Sequence, residues 1–248
     1  MNNENAPESS EQSLPNLTVP RCTADGYEIT LTDGTLLQLA PGVDLSGRTF
    51  SAIDFRGLKL NGSIFNGCTF EDCNLEWTDF SNCMMQNCTI VRCLLNHTIF
   101  ERAILTDSTI HPLLALNTRF DSTDVSGSTF RGTYFRPFMS RASAFGTEFH
   151  ECTIHALLAE ETNFISAQFV ECDLGAFMAM ETSFVGSSFT KCNFDHIFFT
   201  DCDMMNVQFL HCEAESEVHI QKSRFSGTQF VRCSFGEADF SGSTFSYC

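Results

Sequence analysis

Histidine and cysteine are the residues of this 248-residue chain best suited to metal binding or acid–base work, so their spacing decides whether it has a reactive site. The seven His are scattered. In the coiled arrangement derived below, His111 and His150 project from one face about 10 Å apart, too far to share a metal ion. His155 and His196 are likewise separated, and no HExxH, GxSxG or phosphate-cradling glycine loop occurs. Catalysis needs convergent groups in a concavity, so the sequence predicts no catalytic residue, no cofactor and no metal site.

The cysteines are ordered, but for packing. Of the 13 Cys, 11 (all but Cys22 and Cys248) stand two residues before a position on a five-residue beat. Cys152, Cys172, Cys192 and Cys212 recur every twenty residues and predict a column of reduced, buried thiols, whose parallel side chains have poor disulfide geometry. The alternative is a redox-sensitive pair formed by Cys22 and Cys248, which lie off the beat.

The beat itself runs from Leu45 to Phe145, Phe149 to Ala214 and Ile220 to Phe245, and 23 of the 26 Phe fall on it. A period of five suits neither a helix nor a flat strand. Four pentads close one square coil of twenty residues, and stacked coils build an all-β, right-handed quadrilateral β-helix of about ten coils. One inward column holds Phe50, Phe70, Phe130, Phe149, Phe169, Phe189, Phe209 and Phe230 as structural core. A second has small centres at Ser140, Ala159 and Ala179, with Phe138, Leu157 and Phe177 two residues earlier restoring the volume. The beat shortens between Phe145 and Phe149 and lengthens between Ala214 and Ile220, which predicts local kinks there.

Stretches such as "GCTF EDCNL EWTDF" and "SGTQF VRCSF GEADF SGSTF" read small, polar, Leu or Phe, polar, polar. This resembles the pentapeptide-repeat family over about four-fifths of the chain. The resemblance implies a rod that binds proteins. Some members resemble B-form DNA in size and charge, bind type II topoisomerases such as gyrase, and dimerise through their C-terminal ends; others serve as type III effector adaptors in host cells. This chain shows no long loop insertion and no C-terminal helix.

Domain boundaries follow. Residues 1–20 are polar and acidic and read as a disordered leader without a secretory h-region. Residues 21–40 contain an alternating run around Asp33-Gly34 and predict a capping hairpin; residues 41–248 form the β-helix, ending on a raw edge suited to a homodimer. No stretch is apolar enough for a membrane span, so the expected location is the bacterial cytoplasm, or a host cell if the chain is exported.

Two surface features remain. Met139, Leu158, Met178 and Phe198, each just before a beat position, form an outward apolar stripe over four coils, which fits a docking surface, a cover by the N-terminal tail, or tolerated hydrophobicity. Glu160, Glu161, Glu181 and Asp201 lie beside it. The chain carries 31 acidic and 14 basic residues, a net charge of -17, which repels nucleic acid and attracts a basic DNA-binding groove on another protein. The sequence thus predicts a non-catalytic protein-binding rod, either a DNA mimic acting on gyrase, an exported adaptor for a host protein, or a self-associating structural rod.

Overall fold

The computed structural model describes residues 14–248 apart from Thr133. Its described residues hold only strands, turns and bends, stacked as a four-walled solenoid of about ten coils. The first wall is a ten-stranded parallel sheet running from Thr49–Ser51 to Gln229–Val231. Its central residues pair in the register Phe50, Phe70, Ile90, Ile110, Phe130, Phe149, Phe169, Phe189, Phe209, Phe230. The third wall is bridged coil to coil at first and becomes part of an eight-stranded sheet from Ala115–Arg119 onward, whereas the second and fourth walls are built mostly from single bridges one coil apart. One hydrophobic cluster runs from the cap to Phe225.

The pentad has a hydrogen-bond logic as well as a packing one. The residue two before most centres points inward, and where it is Ser, Thr or Cys its hydroxyl or thiol usually donates to a carbonyl of the preceding coil, buried Ser187 being an exception. Thr78 Oγ1 reaches the Phe55 carbonyl at 2.9 Å, Cys83 Sγ reaches Leu60 at 3.1 Å and Ser108 Oγ reaches Met85 at 3.0 Å. Ser, Thr and Cys are therefore chosen as short donors that satisfy backbone acceptors inside the rod. Two residues after most centres the chain turns a corner at positive φ, as at Glu161 (52°) and Glu181 (49°). The strain of that conformation is met by a ladder bond: the Glu161 N–H donates to the Met180 carbonyl at 2.9 Å.

The N-terminal end is closed by a three-stranded antiparallel sheet: β1 (Arg21–Thr23), β2 (Gly26–Thr30) and β3 (Leu36–Leu39). The expected hairpin is its β2–β3 portion, turned where the Asp33 carboxylate accepts the Thr35 N–H at 2.8 Å and Gly34 takes φ 84°. Ile29 and Leu39 bury themselves in the common core. Residues 1–13 of the expected leader lie outside the described residues. Within its remainder, Thr18 already bridges Ile53 on the first coil, short of the boundary expected at residue 20.

The first kink is misplaced by the sequence reading. Phe135 and Met139 are both buried centres, and the pairing of Tyr134–Phe138 with Ala115–Arg119 shifts between Arg136 and Phe138. The residue is lost at buried Pro137, where a fixed φ and a missing N–H suit a straight run in place of a left-handed corner. Ser140 and Phe145 consequently leave the interior, and Phe145 is 53% exposed. Phe138 turns outward, so it does not fill the volume beside Ser140, whereas Leu157 and Phe177 are buried in front of Ala159 and Ala179.

The second break is where it was expected. Strand Glu213–Gln221 bulges between Ala214 and Glu217, and the Asp195 carboxylate accepts the Glu215 and Ser216 N–H groups at 2.8 and 2.9 Å. Among the described residues nothing stacks on the last coil. Phe230, expected in the core, is therefore 36% exposed, and Phe245 is 50% exposed.

Candidate docking surface

On the third wall, the outward residues preceding the centres are Arg119, Phe138, Leu158, Met178, Phe198, His219 and Asp239, in parallel register. The expected stripe is present with one correction. Met139 is fully buried, because the kink at Pro137 puts it at a centre, and Phe138 takes the outward place. Phe138, Met178 and Phe198 are each about two-fifths exposed, Leu158 is half-buried, and Met180 adds a further exposed apolar group.

The stripe ends on a polar clamp. His219 stacks on Phe198 with ring centroids 4.9 Å apart, and carboxylates flank its two ring nitrogens, Glu217 at 3.4 Å and Asp239 at 3.8 Å. The Ser241 backbone N–H, then the Gln221 amide and the Ser241 hydroxyl, donate to Asp239 and hold its carboxyl below the usual range.

Glu160, Glu161, Glu181 and Asp201 are all exposed beside the stripe. The last three occupy one corner column, with φ of 52°, 49° and 55°. None of the four is among the ion pairs of the described residues, which elsewhere bind Arg92 to Glu71 and Asp72, Lys191 to Glu171 and Arg224 to Asp203. Beyond that corner, on the fourth wall, the sequence reading missed a second apolar column: Phe145, Ile165, Val185 and Met205, linked coil to coil by backbone bonds of 2.9 Å from Gly146, Ser166 and Gly186. Phe145 had been counted as a centre, which hid the column.

The other chemistry-bearing groups are occupied structurally. All 13 cysteines are free. Cys22 belongs to the N-terminal cap and Cys248 to the last coil, so they sit at opposite ends of the rod and do not form the alternative pair. Burial pushes the Cys83, Cys88 and Cys202 thiols up to about 12, far from the thiolate form a nucleophile or metal ligand needs. His150 faces Glu148 at 3.1 Å and His155 faces Asp173 at 2.9 Å. Among the described residues no group of three or more His, Cys, Asp or Glu could hold a metal ion, and no helix is long and apolar enough to cross a membrane.

The model of the family described as "Pentapeptide repeats" matches this chain in eight copies, over residues 49–87 and 216–248. Those matches coincide with coils whose centres, inward donors and left-handed corners repeat every five residues. Pentapeptide repeats are thus shown in these two stretches of the chain. Solved structures that match the chain include the pentapeptide-repeat protein HetL, involved in heterocyst differentiation regulation in the cyanobacterium Nostoc sp. strain PCC 7120, at 12% identity and TM-score 0.35, covering 83% of this chain and 90% of that one. A trypsin-treated form of QnrB1, a plasmid-mediated fluoroquinolone resistance protein, is 15% identical with TM-score 0.41, covering 82% and 91%. The pentapeptide-repeat protein Rfr23 from the cyanobacterium Cyanothece 51142 is 11% identical with TM-score 0.19, covering 57% and 90%. No curated protein sequence matches.

Proposed function

We propose that this protein is a non-catalytic rod whose third wall docks a protein partner carrying a basic surface. One observation carries the reading: Phe138, Leu158, Met178 and Phe198 stand outward in register beside four acidic side chains, Glu160, Glu161, Glu181 and Asp201, that belong to no ion pair among the described residues. Four aligned apolar groups are more than scattered surface hydrophobicity requires. Stacking like charges in register is unfavourable, so uncompensated acids beside an apolar wall favour a cationic partner over a purely solubilising role.

The family resemblance makes a type II topoisomerase such as gyrase the first candidate, with the acidic rod taking the place of DNA on a basic groove. The test is a titration of the protein into bacterial gyrase supercoiling and quinolone-cleavage assays at two salt concentrations. Inhibition or protection that weakens with salt is the expected result, since screened charge would carry the attraction. No effect at micromolar protein would remove gyrase and favour a host-protein adaptor, whose binding through the apolar wall would tolerate salt.

The apolar surface of the last coils supports a second, compatible reading. Phe230, Val231, Phe245 and Tyr247 are exposed there. A second copy packed against that surface would bury it. A monomeric mass by multi-angle light scattering would contradict this dimer.

A further inference from the structure

The acidic corner between the third and fourth walls is bounded in a way the third wall alone does not explain. Reading outward across one coil, Leu158, Glu160, Glu161, Asn163 and Ile165 succeed one another; the next coil gives Met178, Met180, Glu181, Ser183 and Val185; the next gives Phe198, Thr200, Asp201, Asp203 and Met205. Each coil therefore presents an apolar group, a carboxylate at the corner, and a second apolar group. The arrangement is confined to these coils. Along the corner the column reads Arg141, Glu161, Glu181, Asp201, Lys222, all at positive φ between 49° and 58°, so a cation closes the acidic run at each end.

We infer that this corner is a two-sided recognition edge for a protein cleft that offers cationic side chains between two apolar walls. The inference rests on the docking reading above and assigns the fourth-wall column, Phe145, Ile165, Val185 and Met205, as its other half. At about 4.8 Å per coil the three corner carboxylates lie within roughly 10 Å of one another, near the screening length at physiological salt, so their repulsion is only partly damped. Cationic groups entering between the two apolar columns would neutralise that repulsion while both walls lose water. A nucleic acid or an anionic lipid surface fits neither the charge nor the geometry.

The experiment uses a defined probe. The full chain is run on a benzylammonium matrix, which offers a cation beside an apolar ring, and on a trimethylammonium matrix of equal charge density. Wild type is expected to need more salt for elution from the first than from the second. The excess is expected to fall by more than half in Phe145→Ser/Ile165→Ser, to a similar extent in Met178→Ser/Phe198→Ser, and to vanish in Glu161→Gln/Glu181→Gln/Asp201→Asn. Val170→Ser/Leu210→Ser on the first wall is expected to leave it unchanged. Thermal unfolding confirms that each variant folds, and Phe145→Ser alone serves if the double variant does not, since that side chain is 53% exposed. Loss from third-wall changes with none from fourth-wall changes would overturn the two-sided edge and keep the single docking wall. No loss from either wall, or an excess absent in wild type, would overturn both.

Discussion

Two corners of the same rod handle acidic residues in opposite ways. After the first wall, acids are ion-paired with bases of an adjacent coil: Asp72 accepts Arg92 Nε at 2.8 Å, Glu151 accepts Arg131 at 3.1 Å and Glu171 accepts Lys191 Nζ at 2.7 Å. After the third wall, Glu161, Glu181 and Asp201 follow one another with no base between them. The backbone is the same in both places, with φ of 54° at Asp72 and 55° at Asp201. The repeat thus fixes where a charge projects and leaves its sign free. The paired corner ties neighbouring coils together, and the unpaired corner is the one the proposed docking would use.

That contrast can be broken most severely from the inside. Phe169 is fully buried and stacks on Phe149 and Phe189 at 4.8 and 4.7 Å. Phe169→Ala should cost about 3 to 5 kcal/mol of stability, read by thermal or denaturant unfolding, and should disturb both corners alike. A neutral result would mean that the ring does not sit in the core. Asp195→Ala should cost less, about 1 to 3 kcal/mol, because it strands the two bulge N–H groups that Asp195 accepts.

Acid separates the corners by sign. The hydrogen bond and charge of Arg92 hold Asp72 below its usual 3.8, and Lys191 does the same for Glu171 below 4.5. A carboxylate whose folded value is depressed adds stability that is complete above its unfolded value and is lost as pH falls through the folded one. Melting temperature should therefore decline as pH drops below about 4. Arg92→Gln should flatten that decline, which a series of melts between pH 6 and pH 2 would read. The smallest effect belongs to the unpaired corner at neutral pH: Glu181→Gln should raise the melting temperature by about 1 °C, whereas Lys191→Gln should lower it.

The fold was legible because a five-residue period repeated through nearly the whole chain leaves one way to stack Phe50 on Phe70 and Phe149 on Phe169. The kink at Pro137 was not legible. Phe138, Met139 and Phe145 are all apolar, so the hydrophobic pattern admits two registers, and only pairing to the coil before decides between them. One misplaced residue then hid the fourth-wall column and put Met139 on the surface. Phe230 differs for another reason: it obeys the beat, but no coil among the described residues covers it. The ion pairs were equally invisible, since Glu171 and Lys191 stand twenty residues apart and meet only through the coil.

The most direct test of the central claim compares the two corners on one binding partner. Immobilised gyrase would be titrated with wild type, with Glu161→Gln/Glu181→Gln/Asp201→Asn, and with Glu171→Gln/Lys191→Gln, each at low and at high salt. Salt-sensitive binding is expected of wild type and of the paired-corner variant, with its loss in the unpaired-corner variant. Equal affinity for all three, or no binding of wild type at micromolar concentration, would contradict it.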